Sequence, residues 1–171
     1  MSPLSELLAA DHRQTLEFFF KGLMDVSEPS VDREEVLYNA SVLAHYAQVS
    51  TRAVVDMPAP MHLGSVFEDF VLDTTLLDDS EMMETAGAQC LLLAGFFEDQ
   101  MRRRYNIQWY AALGATFFKR AAAQEPQPRK ARLLDVIARH FEPWRQRHAQ
   151  LSRDLRDLPY LLPTPRKPLL G

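Results

Sequence analysis

The chain has 171 residues, 47% hydrophobic and 25% charged, with a formal net charge of −4. That length and composition fit one domain with a buried core and exclude a disordered polymer. The small net charge hides a split: residues 1–100 carry 18 acidic and 4 basic side chains, residues 101–171 carry 5 acidic and 15 basic. Such asymmetry speaks about partners and about how the two halves meet, not about the fold.

The single cysteine, Cys90, excludes an internal disulfide. It sits within Ala88-Gln89-Cys90-Leu91-Leu92-Leu93, far in sequence from any histidine, and reads as a small core residue rather than a nucleophile. The start of the chain has no basic region leading into an apolar core, so no signal peptide is expected. The longest charge-free apolar stretch, Thr85 to Phe97, has 13 residues; a membrane span needs about 20. A cytoplasmic protein of bacterial style, with no membrane span, is the expectation.

In chain order, Ser2 is an N-cap with Pro3 at the first helical position. The helix it opens runs to about Val26 with a stripe of Leu4, Leu8, Thr15, Phe19 and Leu23. Asp32-x-x-Glu35 is a capping-box pattern for a second helix to about Arg52. Val36, Ala40, Leu43, Ala44 and Ala47 form one face of it, and Tyr38, Val42 and Val49 a second. Residues 53–64, with Pro58, Pro60 and Gly64, read as a loop. Ser65-x-x-Glu68 caps a short third helix.

Asp78-Asp79-Ser80 caps a fourth helix to about Tyr105, apolar nearly all round and rich in Gly and Ala, which allow close approach of a neighbour. It is the expected buried hub. After Asn106, Trp109 to Gln124 forms a fifth helix with Trp109, Leu113, Thr116 and Phe117 inward. The sixth runs from about Arg129 to Leu158 on Leu133, Ile137, Phe141, Trp144, His148, Leu151 and Leu155. Pro143 falls inside it and predicts a kink or a restart near Phe141. Four prolines between Pro159 and Gly171 predict an extended tail. The expected architecture is therefore all-α: one bundle domain of five to six helices over residues 1–158, around a central helix at about 80–105, then a proline-rich tail over 159–171.

Catalytic patterns are missing: there is no phosphate-cradling glycine loop, no Gly-x-Ser-x-Gly elbow, and no Glu-x-x-His or Cys/His spacing suited to a metal. No cofactor and no metal site are expected. Of the histidines at 12, 45, 62, 140 and 148, His12 (beside Asp11) and His45 are the weak candidates for a ligand pocket. A bundle gripping haem, a metal or a lipophilic ligand through them would be similar to the haem-oxygenase-like architecture. His148 reads as a hydrogen-bonded core histidine.

Arg102, Arg103 and Arg104, followed by Trp109 and Tyr110, are the candidate partner-binding residues. Arginines at a helix C-terminus complement the macrodipole and pair with Glu98 and Asp99 one turn back. They also suit an acidic partner. Nucleic acid is disfavoured, because arginines on the last helix interleave with Asp135, Glu142 and Asp157 instead of forming a basic stripe.

The stretch Gly87 to Ala121 combines a small-apolar helix ending Gly-Phe-Phe, an arginine run, an aromatic pair, then Leu-Gly and an aromatic. In this it resembles uncharacterised bacterial all-helical proteins, a resemblance that implies an all-helical fold and no particular activity. The preferred reading is a non-enzymatic interaction or regulatory protein with a protein partner or a homodimer. The alternatives are the ligand-holding bundle and, third, nucleic-acid binding through the basic half.

Overall fold

The computed structural model describes residues 12–52 and 79–157. Among these residues there are seven α-helices and no strand: α1 (His12–Asp25), α2 (Arg33–Arg52), α3 (Ser80–Leu91), α4 (Glu98–Met101), α5 (Ile107–Gln124), α6 (Pro128–Arg139) and α7 (Phe141–Asp157). A π-helical turn, Leu92–Phe96, joins α3 to α4. The fold is all-α, as the sequence predicts. The Ser2 cap, the loop at 53–64, the helix opened by Ser65 and the proline-rich tail lie outside the described residues.

The helices start where local chemistry supplies acceptors for free N–H groups. Asp79 caps α3 by accepting from Met82 N at 3.1 Å, and Asn106 caps α5 by accepting from Trp109 N at 3.2 Å. The Asp32 capping box forms only by half. Asp32 Oδ1 accepts from Glu34 N at 3.1 Å, but the Glu35 carboxylate turns inward instead of reaching back to the cap.

The hub differs from one continuous helix to Tyr105. Its ladder widens at Leu92–Phe96, where Phe97 N donates to Leu92 O at 2.8 Å, a five-residue step. It resumes as α4 and ends at Met101. The inserted residue rotates the apolar surface, so that Leu91, Leu92, Leu93, Ala94 and Gly95 are all buried in succession.

Pro143 produces the expected restart. The last helical stretch divides at His140 into α6 and α7, leaving Pro143 in the first turn of α7 where a missing N–H costs nothing.

α3 and α5 pack antiparallel along their lengths. Ser80 Oγ donates to the Ala121 carbonyl (3.0 Å), Gly87 faces the Phe118 ring, and Cys90 faces Gly114. A Cβ on Gly114 would sit 2.5 Å from Phe141 Cζ and 2.7 Å from Cys90 Cβ, so only glycine allows this approach. α6 lies on α5, and α1 on α2. The inward face of α5 is Tyr110, Ala111, Gly114, Phe117, Phe118 and Ala121. Trp109 and Thr116, expected inward, are exposed, and Leu113 is half-buried.

α7 runs parallel to the hub and closes the core. Trp144 is fully buried, and Gly95 sits so near α7 that an added Cβ would meet the Arg145 carbonyl and His148 Cβ at 2.9 Å.

Candidate functional site

Two polar constellations stand out: one interior and one at the surface.

The interior one links α2 to α7. Glu35 and Asn39, one turn apart on α2, meet His140, Trp144 and His148, successive turns on α7 and its entry. Glu35 Oε1 accepts from Trp144 Nε1 and from His140 Nδ1, both at 2.9 Å. An indole N–H only donates, so this oxygen is an acceptor, and His140 carries its proton on Nδ1.

Asn39 Nδ2 donates to the Glu35 carbonyl at 2.9 Å, which leaves Oδ1 to face His148 Nε2 at 2.8 Å. His148 is therefore the Nε2–H tautomer. Its Nδ1 is buried with no partner among the described residues. Burial holds its pKa down to about 3, so the ring is neutral at physiological pH.

Arg145, next on the same helix, is buried too. It donates from Nη1 to the Ala94 carbonyl of the π-turn (3.0 Å) and to Glu98 Oε2 (2.8 Å), and from Nε to Glu142 (2.9 Å). The Glu142 bond and the Glu98 bond favour its charged form, and the same guanidinium holds the Glu142 carboxyl below its ordinary range.

The second constellation is on the surface. The turn 102–106 joins α4 to α5 and exposes Arg102, Arg103 and Arg104. Arg102 reaches back to Glu98 at 3.3 Å and to Asp99 at 4.0 Å, the intrahelical pairing the spacing predicts. Arg153 and Arg156 of α7 converge on the same two carboxylates. Asp99 is held below its usual pKa by the Arg156 hydrogen bond above all.

Glu98 and Asp99 thus face Arg102, Arg145, Arg153 and Arg156. Arg103 and Arg104 add further charge with no ion pair among the described residues, so among those residues the positive charge is in excess at this end of the bundle. Beside it, Trp109 is 50% exposed and rests its edge against the buried Tyr110 (4.9 Å between centroids), which in turn meets Tyr105 (6.0 Å). The first turn of α5 contains no acidic residue, so its N–H groups and dipole add to the positive field.

The five partner-binding candidates lie at this one end: Arg102, Arg103, Arg104 and Trp109 are exposed, and Tyr110 is buried against Trp109. The ligand-pocket candidates are placed differently. His45 is exposed on α2, and His12 opens α1 with its side chain outside the described residues, as is Asp11. Among the described residues no group of three or more His, Cys, Asp or Glu is placed to hold a metal ion, and no helix is long and apolar enough to cross a membrane.

Cys90 is buried in the hub, and burial pushes its thiol pKa up, the opposite of an activated nucleophile. The sequence reading passed over Asn39 and Arg145 and took Glu35 for a cap. The usable signal was two polar residues, Glu35 and Asn39, at i and i+4 flanking Val36 and Ala40 on an apolar face.

Compared with protein-family profiles, curated proteins and solved structures, the chain has no match.

Proposed function

We propose that this chain is a non-enzymatic interaction module that binds an acidic segment of a partner protein at the turn 102–106 and Trp109. The observation that carries the reading is the half-exposed Trp109 beside Arg103 and Arg104, which have no ion-pair partner among the described residues. A large aromatic held rigidly by a buried Tyr loses little entropy on contact. Trp and Arg are the residue types that dominate binding energy at protein interfaces. Guanidiniums grip carboxylates in pairs of parallel hydrogen bonds, and a helix N-terminus favours the same charge.

The interior network supports this reading by serving stability rather than chemistry. Its members are saturated with one another, apart from His148 Nδ1, and they lock α2, α7 and the π-turn into one frame.

The test is a titration with a synthetic peptide rich in Glu and Asp and containing one Leu or Phe, followed by tryptophan emission, in which the exposed Trp109 and not the buried Trp144 is the indole a surface ligand can reach. Binding is expected to shift that emission to the blue and to weaken at high salt. Arg103→Ala/Arg104→Ala is expected to lower affinity at least about tenfold, about 1.4 kcal/mol. Equal binding by the double variant, or tighter binding of an oligonucleotide than of the peptide, overturns the reading.

A further inference from the structure

α5 is buried on one side only. Its inward face is Tyr110, Ala111, Gly114, Phe117, Phe118 and Ala121. On the opposite side Trp109, Ala112, Thr116 and Arg120 follow one another at spacings of three and four residues, with Lys119 beside Arg120, and all five are exposed. They form one face, which runs about 16 Å from Trp109 to Arg120 at ~1.5 Å per residue.

α5 has no acidic residue along its 18 residues. Lys119 and Arg120, like Arg103 and Arg104 before its first turn, are exposed and have no ion pair among the described residues. The acids near either end are engaged. Arg102, Arg153 and Arg156 hold Glu98 and Asp99, and Lys130 holds Glu84 and Glu125 and also faces Glu81. Between its charged ends the face is small and apolar. Ala112 carries a methyl, and the Thr116 hydroxyl is spent on its own helix, donating to the Ala112 carbonyl at 2.9 Å.

We infer that the acidic partner segment binds as an α-helix laid along this outer face of α5. One apolar side chain of the segment meets Trp109, and carboxylates at its two ends reach Arg103 with Arg104 and Lys119 with Arg120. The inference rests on the proposed docking role of Arg103, Arg104 and Trp109, and gives the partner its conformation and its footprint.

Backbone accounting selects the helix. The N–H and C=O groups along α5 are bonded within it, and no strand offers an edge among the described residues, so an extended ligand finds no ladder to join. A helical ligand satisfies its own backbone and needs only a close seat. Ala112 and Thr116 leave one, since helix axes pack about 8 Å apart where the contacting side chains are small. Nucleic acid fits less well. Ile107 to Phe118 carries no charge, so about three turns separate the two basic clusters, and a phosphate backbone wants a continuous stripe.

Two acidic peptides titrated against the full chain test this, each about 18 residues long so that a helix can form. The first has Glu at both ends and a face of Ala and one Leu between them. The second differs by a central Pro, which breaks the helix and leaves the charge unchanged. The first should gain helical circular dichroism on binding and bind at least about tenfold more tightly than the second. Lys119→Glu/Arg120→Glu should weaken the first peptide by a similar factor, with thermal melting as the check that the variant folds.

Equal affinity for the two peptides overturns the helical ligand, and equal affinity of wild type and Lys119→Glu/Arg120→Glu overturns the footprint along α5. In either case a loss of binding in Arg103→Ala/Arg104→Ala still upholds the docking role at the turn 102–106. Failure of both peptides to bind the wild type overturns that role as well. An oligonucleotide that binds more tightly than the helical peptide, and loses its binding in Lys119→Glu/Arg120→Glu, overturns a protein as the occupant.

Discussion

His148 Nε2 donates to Asn39 Oδ1 at 2.8 Å across 109 residues of sequence, in a fully buried position. Burial, not this bond, keeps the imidazole neutral, since a charged ring would also leave a second N–H donor buried at Nδ1 without an acceptor. The folded pKa is about 3 against 6.5 for a free histidine. The depressed value fixes the sign of the pH effect. Above about pH 6.5 the stabilisation is fully present. As pH falls from 6.5 toward 3 the unfolded chain takes up a proton that the fold refuses, and stability drops by up to a few kcal/mol. Urea midpoints measured from pH 7.5 to pH 4 should fall steadily. In His148→Gln the slope between pH 6.5 and 4.5 should flatten; an unchanged slope assigns the loss to other groups.

Glu35 should be less tolerant than a capping residue. Glu35→Ala leaves the indole N–H of buried Trp144 without an acceptor, and an orphaned buried donor costs about 1–3 kcal/mol. Loss of a cap interaction alone costs about 1. Glu35→Gln keeps a carbonyl oxygen for Trp144 and should recover part of the loss. Thermal unfolding followed by circular dichroism separates the variants. Equal stability of wild type and Glu35→Ala excludes the inward role.

Gly95 and Gly114 should both resist alanine, for reasons that differ in degree. At Gly95 the new methyl meets the Arg145 carbonyl, which is backbone and cannot rotate away. At Gly114 it meets a ring carbon of Phe141 and the Cβ of Cys90. Overpacking of this kind costs about 1–3 kcal/mol. Gly95→Ala should lie at the upper end and lower the melting temperature more than Gly114→Ala does. The reverse order shows that α7 can slide away from the π-turn.

Cys90 should be silent to thiol reagents in the native state. Its side chain is buried and its thiol pKa is raised by burial. Labelling by an aromatic disulfide reagent should therefore proceed at the rate of unfolding and accelerate with urea. Prompt labelling without denaturant contradicts the packing of α3 against α5.

How much of this was legible in the sequence depends on which force decided each feature. The cap at Asp79 is local chemistry and was readable; the cap at Asn106 is the same chemistry, but the sequence reading started that helix at Trp109. The restart near Phe141 follows from one proline. The π-turn was not readable, because a one-residue insertion into a ladder answers to α7, whose backbone must pass Gly95 and whose Arg145 must reach the Ala94 carbonyl. A sequence apolar on every side gives no sign of such a change of phase.

The face of α5 was misplaced because Trp109 is large and apolar, and burial seemed its default. The true inward face is set by Gly114, whose lack of a side chain admits Cys90. At the turn 102–106, the arginines and the indole were visible as a run of residues. That Arg102 is paired while Arg103 and Arg104 have no ion pair among the described residues was not, since that depends on which arginines Glu98 and Asp99 hold.

The opening imbalance of charge acquires a temporal meaning. Glu98 and Asp99 find Arg153 and Arg156 across 55 and 57 residues, Glu84 finds Lys130, and Glu35 waits 109 residues for Trp144. Domains fold as units during synthesis, and long-range contacts form last. While the first hundred residues emerge from the ribosome they carry 18 acids against 4 bases and repel one another. The C-terminal helices bring both the counter-ions and the indole that closes the core. A fragment ending at Gln100 should therefore be an expanded chain that contracts with added salt, and α7 is the helix that commits the rest to fold.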